Sequence, residues 1–224
     1  MLTLASPNLT PLLATAYGEF REMVARGEAT GTPETPLGAT RPDLKRYIDF
    51  TLGAEGTPAA IKVLHETLAV LPYKFACVLT AVFGLGGFPP LSSLMDERDG
   101  PVLRMTWYPP GAIGEINQPH TDIDLFTMLP AASRPGLEVF ADGKWVPAGI
   151  GRDEVAVLPG EMLEEFGATK AIKHRVVAGK GNERISASLF VNASPELIVR
   201  DGIRASDIMK ARLDEIRGGG RCND

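Results

Sequence analysis

"PVLRMTWY", residues 101–108, is the point at which the reading of this chain turns. Leu103, Met105 and Trp107 alternate with Arg104, Thr106 and Tyr108, which is the two-residue period of a strand with one apolar and one polar face. Upstream the period is helical. Thr10-Pro11 reads as an N-cap and first-turn pair, and Leu12, Leu13, Ala16, Phe20, Met23 and Val24 follow it as one stripe. Residues 27–42, "GEATGTPETPLGATRP", are Gly, Pro and Thr rich and read as a loop. A second helix is predicted from Ala59, with Ile61, Leu64, Leu68 and Leu71 three and four apart. Pro72 kinks or splits it, and a further helical stretch runs to Phe83 before "GLGGFPP" stops it.

Downstream of residue 108 the pattern is one of short strands parted by Pro and Gly turns: 120–129, 136–140, 144–148, 154–158, 171–178 and 184–192. A last helix is expected at 207–217, capped by Ser206, with Ile208, Leu213 and Ile216 as its apolar stripe. Helices first and strands after point to an α+β chain with an antiparallel sandwich or barrel as its core. The expected organisation is a single domain over 1–224. It comprises a mainly helical part at 1–100, a β-core at 101–195, and a C-terminal helix and tail at 196–224.

Composition excludes several classes. Of 224 residues 44% are apolar and 23% charged, ordinary for a packed domain. A net charge of −5 offers no basic footprint for nucleic acid or an anionic membrane. Cys77 and Cys222 make neither a disulfide framework nor a cysteine zinc site, and they suit a reducing compartment. The N-terminus lacks a basic region followed by an apolar run, so no signal peptide is read, and no apolar segment reaches membrane-spanning length. The expected location is the cytoplasm. The sequence leaves the oligomeric state open.

Chemistry concentrates in "NQPHTDID", residues 117–124. In an extended strand His120, Asp122 and Asp124 would share one face. Among the three histidines, His65 falls in a helix and reads as structural, whereas His174 falls in the strand candidate "AIKHRVV". Two imidazoles and one carboxylate with open positions suit non-haem Fe(II); zinc or a redox-silent site could use the same ligands. Further on, Arg184, Ser186, Ser188, Phe190 and Asn192 share one face of "RISASLFVN", with Ile185, Ala187, Leu189 and Val191 on the other. Arg-x-Ser offers a charged fork and a hydroxyl suited to a carboxylate, and Phe190 suggests a pocket wall.

The series "LRMTWYPP", "PHTDIDLFTML", "PGLEVFADGKWVPA", "VLPGEMLEEF", "KAIKHRVV" and "RISASLFVNASP" resembles the 2-oxoglutarate- and Fe(II)-dependent dioxygenases of the isopenicillin N synthase-like group, continuously from Ile61 to Pro195. The resemblance implies a double-stranded β-helix (jelly-roll) core with flanking N-terminal helices and a C-terminal helix. Carried over position by position, it implies His120, Asp122 and His174 as iron ligands. Arg184 and Ser186 would hold the distal carboxylate of 2-oxoglutarate, with Tyr108 close to that co-substrate. The implied cofactors are Fe(II), 2-oxoglutarate and O2. The implied reaction oxidises a small molecule by hydroxylation, desaturation or ring closure, while 2-oxoglutarate becomes succinate and CO2. A 2-oxoglutarate-independent oxidase of the same fold, or a non-catalytic metal- or ligand-binding barrel, are the alternatives.

Departures from the group's pattern mark where this chain is its own. Thr106 stands where Asn is common, Glu161 follows Gly160 where Asp is usual, and Asp124 stands where a small residue such as Ser is common. Asp124 is expected either to face the cavity and receive a cationic substrate group or Arg104, or to be solvated or paired internally. Relatives carry a longer N-terminal region with a first strand and helix. Here only "RPDLKRYIDF" at 41–50 matches, and little is expected before it, leaving a pocket that is more open or closed by a partner subunit.

Overall fold

The computed structural model describes residues 1–31, 45–85, 90–96, 100–167, 169–178 and 181–217. Most of the loop expected at 27–42, the centre of "GLGGFPP" and Cys222 lie outside the described residues, as does the side chain of Ile216. The chain begins with strand β1 (Leu2–Ala5), helix α1 (Leu9–Ala25) and strand β2 (Arg46–Phe50). Helices α2 (Ala59–Ala69), α3 (Leu71–Lys74), α4 (Ala76–Val82) and α5 (Leu91–Leu94) follow, Pro72 lying at the break between the first two. Then come β3 (Val102–Tyr108), β4 (Gly114–His120), β5 (Phe126–Pro130), β6 (Leu137–Ala141), β7 (Lys144–Pro147), β8 (Glu154–Pro159), the short helix α6 (Glu161–Glu165), β9 (His174–Ala178) and β10 (Arg184–Val191). β11 (Ile198–Arg200), β12 (Ile203–Arg204) and helix α7 (Ala205–Arg217) end it.

Strands β3 to β10 divide between two antiparallel sheets, β8-β5-β10-β3 and β4-β9-β6-β7. Strands that follow one another in sequence repeatedly change sheet, which is the double-sheet jelly roll. One face of β3 and β10 carries Leu103, Met105, Ile185, Ala187, Leu189 and Val191, all sealed into a core shared with Phe20, Leu64 and Leu68 of the helices. The opposite face turns inward: Tyr108 of β3 packs on Ile116 and Val176 of the second sheet. Register pairs Arg184 with Tyr108, Ser186 with Thr106 and Ser188 with Arg104. Directly paired residues share a face, so all six point into the barrel.

Several expectations need correction. The helical reading of 1–100 missed β1 and β2, which extend the first sheet at its two edges in the order β1-β8-β5-β10-β3-β2. The short N-terminal region therefore does supply a first strand and helix. Strands of four or five residues give too few alternations to register as a period, and pairing with a neighbour defines them instead. β4 was also missed: two register shifts against β9 and Pro119 break any alternation in "GEINQPH". The strand expected at 120–129 is the last residue of β4, a bend at 121–125, and β5. α1 starts at Leu9, and Thr10 is not its cap. Asn8 is left-handed (φ 66°) without a side-chain cap, and the Thr10 N–H donates instead to Asp153 Oδ1 (2.7 Å) from the turn before β8. Likewise Ser206 lies inside α7, and Leu213 of the expected stripe is exposed while Ile208 packs on the core. His65 is buried with Nε2 2.7 Å from the Pro101 carbonyl, as a structural histidine. Among the described residues no single helix is long and apolar enough to cross a membrane.

Candidate metal centre and carboxylate pocket

His120 ends β4 and His174 opens β9, and the two are register partners, their rings 4.3 Å apart between centroids. Asp122 joins them from the bend, not from a shared strand face as alternation had suggested. Its Oδ1 lies 3.8 Å from His120 Nε2 and its Oδ2 3.7 Å from His174 Nε2. One ligand atom from each residue falls within 4.8 Å of the others, close enough for a single ion to reach all three. Each imidazole is oriented from behind. Nδ1 of His120 faces the Gln118 carbonyl (2.7 Å) and Nδ1 of His174 the Ile172 carbonyl (3.0 Å). A carbonyl only accepts, so both Nδ1 atoms carry the proton and both Nε2 lone pairs point at the common centre. Burial, with the neighbouring His174, lowers the pKa of His120 to about 4 against the pull of Asp122. The ring is therefore neutral at neutral pH, as metal ligation demands.

The bend is held by its surroundings. The Thr127 hydroxyl donates to Asp122 Oδ2, and the Glu161 N–H donates to the Asp122 carbonyl (2.8 Å). Glu161 in turn accepts from the Thr121 hydroxyl and from Arg212 Nε and Nη2 of α7 (2.7 and 2.8 Å). The Gly160-Glu161 departure thus ties the C-terminal helix to the ligand loop.

Asp124 does not sit where a substrate could meet it. It is 3% exposed, 3.0 Å from Thr127 Oγ1, and pressed against Gly160. Burial first, then the Asp122 carboxylate, pushes its carboxyl well above the usual range, favouring the neutral acid. The Thr127 hydroxyl thus sits between the two carboxylates, against Asp122 Oδ2 and Asp124 Oδ2. Arg104 is not its partner either. The guanidinium forks onto Asp49 of β2 (2.7 and 2.7 Å), between the Tyr47 ring (4.1 Å) and the Phe190 ring (5.2 Å). Phe190 does form a wall, but the wall belongs to this stack.

Arg184, Ser186 and Tyr108 come together on the inward face. Arg184 is 8% exposed; its Nε donates to the Arg134 carbonyl (3.1 Å), its guanidinium lies 5.2 Å from the Tyr108 ring centre, and its Nη1 is buried without a partner. A buried unpaired donor on a charged group is costly, and a bidentate carboxylate matches the fork. Burial raises the Tyr108 pKa, so its O–H persists as a donor. Both donor sets fit the groups they were expected to hold: a divalent ion at His120, Asp122 and His174, and a carboxylate at Arg184.

Other residues of the site escaped the reading of the sequence. Thr127 and Arg212 act behind the ligands, while Tyr47 and Asp49 hold Arg104 and Lys45 bonds Asn117. The signal for three of them was the alternation Lys45, Tyr47, Asp49, legible only once 46–50 is known to be a strand.

Residues 100–193 match the model of the 2OG-Fe(II) oxygenase superfamily. Over 113 residues the chain is 31% identical to flavonol synthase 3 of Arabidopsis thaliana, covering 45% of this chain and 37% of that protein. Over 103 residues it is 34% identical to 1-aminocyclopropane-1-carboxylate oxidase 1 of the same organism, covering 41% and 33%. The matches thus span about a third of the length of these relatives. A crystal structure from Shewanella oneidensis, assigned there to an oxygenase, superposes with a TM-score of 0.75 at 25% identity, covering 95% of this chain and 89% of its own. A full-length Neurospora crassa protein, solved in complex with alpha-KG and 5-formyluracil, shares the fold with a TM-score of 0.75 at 18% identity, covering 94% and 84%.

Proposed function

We propose that this chain, whose residues 100–193 match the model of the 2OG-Fe(II) oxygenase superfamily, is a 2-oxoglutarate-dependent dioxygenase acting on a small molecule. His120, Asp122 and His174 would hold the ferrous ion, and Arg184 with Ser186 and Tyr108 the far carboxylate of 2-oxoglutarate. When bound, the ion and co-substrate supply an O2-dependent oxidation in which 2-oxoglutarate leaves as succinate and CO2. The protein's own part is geometric. The Nδ1 bonds to Gln118 and Ile172 fix both imidazoles, and Thr127 fixes the carboxylate. The apolar packing of Tyr108, Ile116 and Val176 closes the base of the pocket beside Arg184 against water. The reducing setting that Fe(II) needs agrees with a cytoplasmic location.

The observation that carries this reading is the buried, unpartnered Nη1 of Arg184 on the barrel's inner face. An oxidase that takes its electrons from the substrate alone needs no carboxylate co-substrate at such a cation, and a purely structural metal site needs none either. Anaerobic addition of Fe(II) and 2-oxoglutarate should give a weak visible charge-transfer band, and substrate-stimulated succinate should follow in air. Exchanging Arg184 for Gln should raise the KM for 2-oxoglutarate by about tenfold or more, the loss of one charge-assisted contact, with Mn(II) affinity unchanged. Absence of the band in the native protein would defeat the proposal, and turnover surviving in His174→Ala would overturn the ligand assignment.

A further inference from the structure

The inner face of the barrel holds a cation that the groups assigned above to the metal and to 2-oxoglutarate do not include. Lys45, just before β2, continues the inward row of Tyr47 and Asp49, which are paired with Thr106 and Arg104. From there its ammonium crosses to the second sheet and donates to Asn117 Oδ1 of β4 at 2.6 Å. Asn117 precedes His120 by three residues on β4, so the ammonium sits against the strand that ends at the candidate metal centre. Among the described residues no carboxylate lies within ion-pair distance of it, and Asn117 occupies one of its three N–H donors. Burial, with the repulsion of Arg104, lowers its pKa to about 8, which still leaves it mainly charged at neutral pH.

The charges around it do not cancel. Arg104 is matched by Asp49, whose two carboxylate oxygens it takes, whereas Lys45 has the Asn117 amide oxygen. Among the described residues Lys45 is thus a cation of the barrel's inner face with no carboxylate in ion-pair range. A half-buried ammonium without a counter-ion is a preformed place for an anion. The alternative, that Lys45 merely latches the two sheets through Asn117, requires no charge, since a neutral amide could bond there equally well.

We propose that Lys45, steadied by Asn117, anchors the carboxylate of a small monoanionic primary substrate beside the metal. This inference rests on the dioxygenase reading above and adds a substrate class to it. It is tested on the full chain loaded with redox-silent Mn(II) and 2-oxoglutarate, following the paramagnetic broadening of the NMR lines of butyrate, benzoate and phenylacetate and of their primary amides. At least one acid should be broadened saturably and its amide not. Lys45→Gln should weaken that acid at least about tenfold, as loss of a charge-assisted contact does, while Lys45→Arg retains it. Mn(II) and 2-oxoglutarate affinities, measured by calorimetry, should stay unchanged in both variants, which also shows them folded. The proposal is overturned if no acid binds the loaded protein, if amides bind as well as acids, or if Lys45→Gln binds the acid normally. Failure of the native protein to take up Mn(II) and 2-oxoglutarate would instead remove the dioxygenase reading, and this inference with it.

Discussion

Gly160 and Thr127 show how narrowly the ligand bend is set at the scale of single residues. A Cβ added at Gly160 would overlap both the carbonyl and the carboxylate of Asp124, and backbone cannot give way as a flexible side chain can. Gly160→Ala should therefore destabilise the protein by about 1–3 kcal/mol, the usual cost of overpacking a tight site, read as a lowered denaturant midpoint. Thr127→Val keeps the shape but removes the hydroxyl between Asp124 and Asp122. It should weaken Mn(II) binding about 10–100-fold, as loss of a group behind a ligand does, with little loss of fold. Unchanged affinity would show that the Asp122 carboxylate needs no such support. Asp124 itself was visible in the sequence as an odd residue at a special place, but its burial was not. Whether a carboxylate faces a cavity or a glycine depends on residues 36 positions away in sequence.

Among the elements, α1 illustrates a cap supplied from elsewhere. Asp153 accepts the Thr10 N–H, and that bond holds its carboxyl below the ordinary range. A depressed folded pKa means stability present above the unfolded value and lost as pH falls through the folded one. Asp153→Asn keeps an acceptor and tolerates the left-handed backbone at this position (φ 56°), so it isolates the charge. The native protein should melt above this variant at neutral pH, and the gap should close as pH drops through and below the carboxylate range. A gap independent of pH would mean that the charge contributes nothing. α7 acts over a longer reach, through Arg212 and Glu161 onto the loop that carries Asp122. Beside Ile208, which packs on the core, this charged fork holds α7 in place, and a period-based reading cannot see it.

At the scale of the molecule, the metal set and the carboxylate pocket join pieces of both sheets. β4 and β9 bring the histidines, β3 and β10 the Tyr108, Arg184 and Ser186 wall. A ligand that binds only this assembled arrangement stabilises it by mass action. Mn(II) and 2-oxoglutarate, each at about a hundred times its dissociation constant, should add about 2.7 kcal/mol apiece, seen as a raised Tm. His174→Ala should lose that increment, and a Tm indifferent to both additions would argue against a site built across the two sheets.

The sequence by itself determined the switch from helical to alternating period near residue 101, the inward and outward faces of β3 and β10, and the order of His120, Asp122, His174, Arg184 and Ser186. These are local matters, because side chains two apart on a strand share a face whatever the strand pairs with. Only the tertiary structure decided that Asp124 is sealed beneath Gly160, that Arg104 belongs to Asp49, and that Lys45 reaches Asn117 across the barrel. Those partners lie on different elements, and edge strands such as β1 and β2 acquire their place from the sheet that accepts them. Periodicity fixes which way a side chain points; only long-range register fixes what it meets there.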